Sequence, residues 1–147
     1  MQTIHVVTRA ASRPGVIALA YTIDHPDGSV EHVTAPLAGS VSRVEGALLG
    51  ISEALRAADP TVPTLLRMVS TGVYATLEAS EWKPSANAPI GLLEARAALL
   101  EAVGAFSDLR VELLHQQDER LAPLMLAAKE EAEAAAAERI AVIGLAA

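Results

Sequence analysis

Apolar residues along this chain recur at two different spacings, and the changes of spacing divide it into strands and helices. Thr3 to Arg9, carrying Ile4, Val6 and Val7, reads as a first strand. Pro14-Gly15 interrupts it, and Val16 to Ile23 forms a second, strongly apolar run. His25-Pro26-Asp27-Gly28 is a turn in which proline presets φ and glycine permits a positive φ. Val30 to Leu37 is the return strand, so the chain opens as a three-stranded meander.

The period then lengthens. Val44, Ala47, Leu48, Ile51, Leu55 and Ala58 line one face of a helix. Ser42 with Glu45 three positions on has the pattern of a capping box, and Asp59-Pro60 stops the helix. Leu65 to Ser70 predicts a buried fourth strand, Val73 to Ser80 a short helix, and Trp82 to Ala88 a loop. Ile90 to Gly104 is helical through Leu92, Leu99, Leu100 and Val103, and Leu109 to His115 is a fifth strand. A last helix is expected from Asp118 to Arg139, with Leu121, Leu124, Met125, Ala128 and Ala132 on one face. Its other face carries Glu130, Glu131, Glu133 and Glu138, the pattern of a solvated side.

This order predicts an α/β fold: a five-stranded mixed sheet, made of an antiparallel meander plus two parallel strands, with helices on both faces. Neither a repeat nor a linker divides the chain, so residues 1–138 read as one domain followed by an apolar, uncharged tail at 139–147. That tail is expected either to pack on its own domain or to cover a partner subunit.

The apolar share of 52% supplies a core, although Tyr21, Tyr74, Trp82 and Phe106 are the only aromatic residues. Ala, Val, Leu and Ile must therefore fill it. The absence of cysteine excludes disulfides, thiolate metal sites and cysteine nucleophiles together. No secretory leader opens the chain and no apolar run reaches the ~20 residues that cross a bilayer, so a soluble, cytoplasmic protein is expected. The net charge of −7, with two lysines among eleven basic residues, argues against broad phosphate-backbone binding.

Several short sequences bear on function. Val6-Val7-Thr8-Arg9-Ala10-Ala11-Ser12 resembles the first strand of the type 1 ribonuclease H family, which ends in hydrophobic-Thr-Asp-Gly-Ser. Ser42-Arg43-Val44-Glu45 resembles the family's Asn-Arg-Met-Glu helix start. Met68-Val69-Ser70-Thr71-Gly72-Val73-Tyr74 is similar to its fourth strand with a Ser-Thr-Asp-Ser-x-Tyr ending, and Trp82 falls where a family tryptophan often stands. His115-Gln116-Gln117-Asp118-Glu119-Arg120-Leu121-Ala122 resembles the histidine loop and final helix that close the family's site. The resemblance spans roughly residues 3 to 138.

It implies a ribonuclease H-like fold and, for the family, cleavage of the RNA strand of RNA–DNA hybrids by two Mg²⁺ ions held by four carboxylates. Two such ions ~3.5–4 Å apart clamp the attacking and leaving oxygens. Carried over residue by residue, the four positions fall on Arg9, Glu45, Gly72 (or Thr71) and Ala122. A slipped register makes Asp118 the last ligand instead. A positive charge ~5 Å from Mg²⁺ is repelled by roughly 7 kcal/mol at an effective dielectric of about 20, so Arg9 opposes the family mechanism. Arg9 is expected instead to pair with Glu45, a guanidinium being suited to a bidentate carboxylate contact.

Three functional readings follow. The first is a catalytically silent binding or assembly module without a metal or other cofactor, with a protein partner or self-association favoured. The second is a hybrid ribonuclease using Mg²⁺ or Mn²⁺ on rearranged ligands Glu45, Asp118 and Glu119. The third is a silent domain that still holds nucleic acid through Arg9, Arg13, Arg43 and Lys83. Each residue also has a plainer role. Glu45 serves a helix cap, Arg43 is a surface side chain, His5, His32 and His115 are structural, and Trp82 is a core anchor. Asp24 and Asp27 serve the turn between them.

Overall fold

Alternation along the first strand sets the layers of this protein, because successive side chains of a strand point to opposite faces. The computed structural model describes residues 1–12, 16–37, 42–70, 73, 74, 77 and 89–146, with side chains through 138. Strand β1 (Gln2–Ala10) pairs antiparallel with β2 (Ile17–Asp24), which pairs antiparallel with β3 (Val30–Pro36). On its other edge β1 runs parallel to β4 (Thr64–Met68), and β4 runs parallel to β5 (Leu109–Leu113). The sheet order is β3-β2-β1-β4-β5, the meander and parallel pair expected from the sequence.

Ile4 and Val6 face one side, where they join Leu48, Ile51, Ala54 and Leu55 of helix α1 (Arg43–Ala57) and Leu99 of helix α2 (Ile90–Gly104). Val7 and Ala11 face the other, against Leu121, Leu124, Ala128, Ala132 and Ala136. All but Leu121 of these five belong to helix α3 (Ala122–Ala146). Alanine dominates the α3 contact; having no side chain beyond Cβ, it lets helix and sheet approach closely. Close approach is sharper for α1, where a Cβ placed on Gly50 would fall 2.5 Å from the Thr8 Cγ2.

The helix boundaries refine the sequence expectations. Ser42 caps α1, its Oγ accepting from the Glu45 N–H at 3.2 Å. The last helix begins later than Asp118: Glu119–Leu121 form a 3₁₀ turn, and α3 starts at Ala122. Pro123, which lacks an N–H and has a fixed φ, suits the first turn of a helix. At the far end α3 continues through Ala146 without a break at 139, so the backbone of the apolar tail extends the helix. The short helix expected over 73–80 and the loop over 82–88 lie mainly outside the described residues. Among the described residues no helix is long and apolar enough to cross a membrane.

Candidate functional site

At the C-terminal ends of the parallel pair β1 and β4 the chain leaves the sheet, and a cavity of about 600 Å³ opens there. Ligands of open α/β sheets commonly bind outside such strand ends. Thr8 to Ser12 form one wall, Val69 and Ser70 another, and Gln116 a third. Arg43 and Ala47 come from α1 on one side, and Met125 and Lys129 from α3 on the other.

The described lining residues carry three cations, Arg9, Arg43 and Lys129, and no carboxylate. Lys129 is anchored: its Nζ donates to the Ala10 carbonyl at 3.0 Å and pairs with Glu133 at 3.1 Å. Glu133 also accepts from the Ser12 N–H at 2.6 Å and the Ser12 hydroxyl at 2.7 Å. These hydrogen bonds, with Lys129 beside them, hold the Glu133 carboxyl down at about 2. Arg9 and Arg43, by contrast, have no carboxylate partner among the described residues.

The expected Arg9–Glu45 pair is not formed among the described residues. Thr8 points to α1, where its methyl meets Gly50, so strand alternation turns Arg9 toward the α3 side. Glu45 goes elsewhere: its Oε2 lies 3.2 Å from where a Gly91 Cβ would stand, at the start of α2. Pro89 supplies no side-chain cap to that helix, and a carboxylate at a helix N-terminus is favoured by the exposed N–H groups.

The other sequence-derived positions are dispersed. Ala122 is exposed at the start of α3, one turn short of Met125. Asp118 caps the 3₁₀ turn and accepts from Arg120 Nε at 3.0 Å and Nη2 at 2.8 Å, contacts that hold its carboxyl at about 2. Glu119 is exposed. Glu45, Asp118 and Glu119 are therefore not assembled; among the described residues no three histidine, aspartate or glutamate side chains are grouped to hold a metal. Gly72, Thr71, Arg13, Lys83 and Trp82 lie outside the described residues.

Of the basic residues singled out in the sequence, Arg9 and Arg43 meet at the cavity; Lys129 was not among them. Its signal was positional, one helical turn after Met125 on the edge of the apolar stripe of α3. His5 and His115 have polar neighbours within the fold. His5 Nε2 lies 3.3 Å from Arg67 Nη1, and burial, with Arg67 second, lowers its pKa; His115 Nδ1 accepts from the Gln117 N–H at 3.1 Å.

A hard divalent cation such as Mg²⁺ takes an octahedron of oxygens, at least one or two of them anionic. Three cationic side chains around neutral hydroxyls and an amide do not fit it.

The fold is that of ribonuclease H-like proteins. The structure superposes on RNase H1 from the halophilic archaeon Halobacterium salinarum NRC-1 with a TM-score of 0.70 and 18% identity, covering 89% of this chain and 96% of that one. It is similar also to the N-terminal RNase H domain of a Mycobacterium tuberculosis protein, solved as a maltose-binding-protein fusion (TM-score 0.67, 17% identity, 95% and 97% covered). A third similar structure is LC11-RNase H1 in complex with an RNA/DNA hybrid (TM-score 0.66, 15% identity, 92% and 99% covered). No family model matches the sequence, and no curated protein matches it by sequence.

Proposed function

We propose that this chain is a metal-independent, non-catalytic ribonuclease H-like domain that binds rather than cleaves. One observation carries the reading: the cavity at the ends of β1 and β4 is lined by Arg9, Arg43 and Lys129 and by no described carboxylate. Clamping two divalent cations needs concentrated negative charge, and this lining inverts the sign. A labelled RNA–DNA hybrid incubated with the protein and Mn²⁺ or Mg²⁺ tests it. The expected result is intact RNA. Metal-dependent cleavage that disappears in Glu45→Gln would overturn the proposal in favour of a rearranged nuclease.

Self-association is the second reading, favoured by α2. Its apolar residues surround the helix; Ile90 is 74% exposed, Leu93 37% and Leu100 38%. Light scattering after gel filtration is expected to give a dimer that Leu93→Glu disperses. A strict monomer at high protein concentration would remove this reading.

A further inference from the structure

We infer that the cavity receives the phosphate group of a small phosphate ester of about mononucleotide size, in place of a metal. The inference rests on the metal-independent reading of the same site and adds the class of its ligand.

Three like charges around one concavity repel one another, and a bound dianion relieves that repulsion. Lys129 shares its charge with Glu133, but the half-buried Arg9 and the more exposed Arg43 have no described carboxylate to answer them. Guanidinium groups match the spacing of phosphate oxygens and donate in pairs. Ser70 and Gln116 add a hydroxyl and an amide to the same cavity, both able to donate to a tetrahedral anion.

Volume and charge favour a small ligand over a polymer. A cavity of about 600 Å³ lies within the range that encloses small molecules. Beyond the cavity, α3 exposes Glu130 and Glu138, with Glu131 partly exposed, and the whole chain carries −7. A nucleic-acid backbone extending across that surface meets repulsion at each further phosphate, whereas one phosphate seated between the arginines does not.

Calorimetry on the full chain, at low salt with EDTA present, tests the inference with inorganic phosphate, adenosine 5′-monophosphate, adenosine, acetate and a short RNA–DNA hybrid. Inorganic phosphate and the mononucleotide are expected to bind, and adenosine and acetate to give no heat. Arg9→Gln and Arg43→Gln, which remove no described hydrogen bond or ion pair, are expected each to weaken the mononucleotide by about tenfold or more without lowering the melting temperature. Equal binding of adenosine, equal binding by both arginine variants, or a response to acetate matching phosphate would overturn the inference. So would binding of the hybrid alone, which assigns a polymer, or binding of no probe. Hybrid cleavage with Mn²⁺ sinks the metal-independent reading; failure of phosphate to bind an uncleaving protein sinks the ligand class alone.

Discussion

The Glu45 carboxylate rests against Gly91, with Oε2 3.2 Å from the position a Cβ would take there. This places an acidic group of α1 on the first turn of α2 and away from the cavity that Arg9 lines. The two residues explain each other. Glycine leaves room for the carboxylate, which stands at the start of a helix that begins after proline and has no side-chain cap.

Neutralising that carboxylate is therefore expected to act on stability. Glu45→Gln should cost ~0.3–1 kcal/mol, the scale of a charge at a helix terminus, and the loss should shrink at high salt. Urea denaturation at two ionic strengths measures it; a gain in stability, or no change at low salt, would contradict the assignment.

Gly50 offers a sharper test of packing. Alanine gains ~1 kcal/mol over glycine in an open helix, but here its Cβ would stand 2.5 Å from the Thr8 Cγ2. Gly50→Ala is expected to destabilise by ~1–3 kcal/mol, and Thr8→Ser in the same chain to recover part of the loss, because serine lacks that methyl. Chemical denaturation of the four members of this cycle decides it.

Acid should loosen the join between α3 and the end of β1. Glu133 ionises at about 2 in the folded chain against an ordinary 4.5, chiefly because Ser12 donates to it twice. A depressed carboxyl contributes its full stabilisation above 4.5, and the contribution fades as the pH falls toward 2. Melting curves from pH 6 to pH 2 are expected to fall less steeply for Glu133→Gln than for the native chain. Parallel curves would show that the Ser12–Glu133 contact carries no net stability.

Leu121, fully buried beneath the sheet on the α3 side, anchors the 3₁₀ turn that leads into α3. Leu121→Ala is expected to cost ~2–5 kcal/mol, a burial-plus-cavity loss, visible in the denaturation midpoint. A change below 1 kcal/mol, on the order of an exposed substitution, would mean the turn collapses to refill the space.

Much of the architecture was legible in the sequence because each element buries one face. The alternation of Ile4 and Val6 with Val7, and the helical spacing of Leu48, Ile51 and Leu55, are consequences of that burial. The start of α3 was less legible, since Leu121, Leu124 and Met125 keep the same spacing through a 3₁₀ turn and an α-helix; only Pro123 marks the change. The fourth and fifth strands end earlier than their apolar runs: Val69 and Ser70 leave the ladder to line the cavity, and Leu114 lies past β5. At the site, the sequence exposed Arg9 as the residue out of place but misdirected it to Glu45. Which way a strand residue faces depends on its neighbours across the sheet, and here Thr8 against Gly50 decides it. Lys129 stayed hidden for the same reason, because a helix position 120 residues away from Arg9 meets it only in the folded chain.

On the proposed reading, positive charge stands where the ribonuclease H resemblance implies divalent cations. Electron paramagnetic resonance of Mn²⁺ titrated into the native chain reads this directly. The expected spectrum is that of free aqueous Mn²⁺ at every ratio of metal to protein. A stoichiometric loss of the free-ion signal that Glu45→Gln abolishes, and that Arg9→Gln leaves intact, would contradict the account.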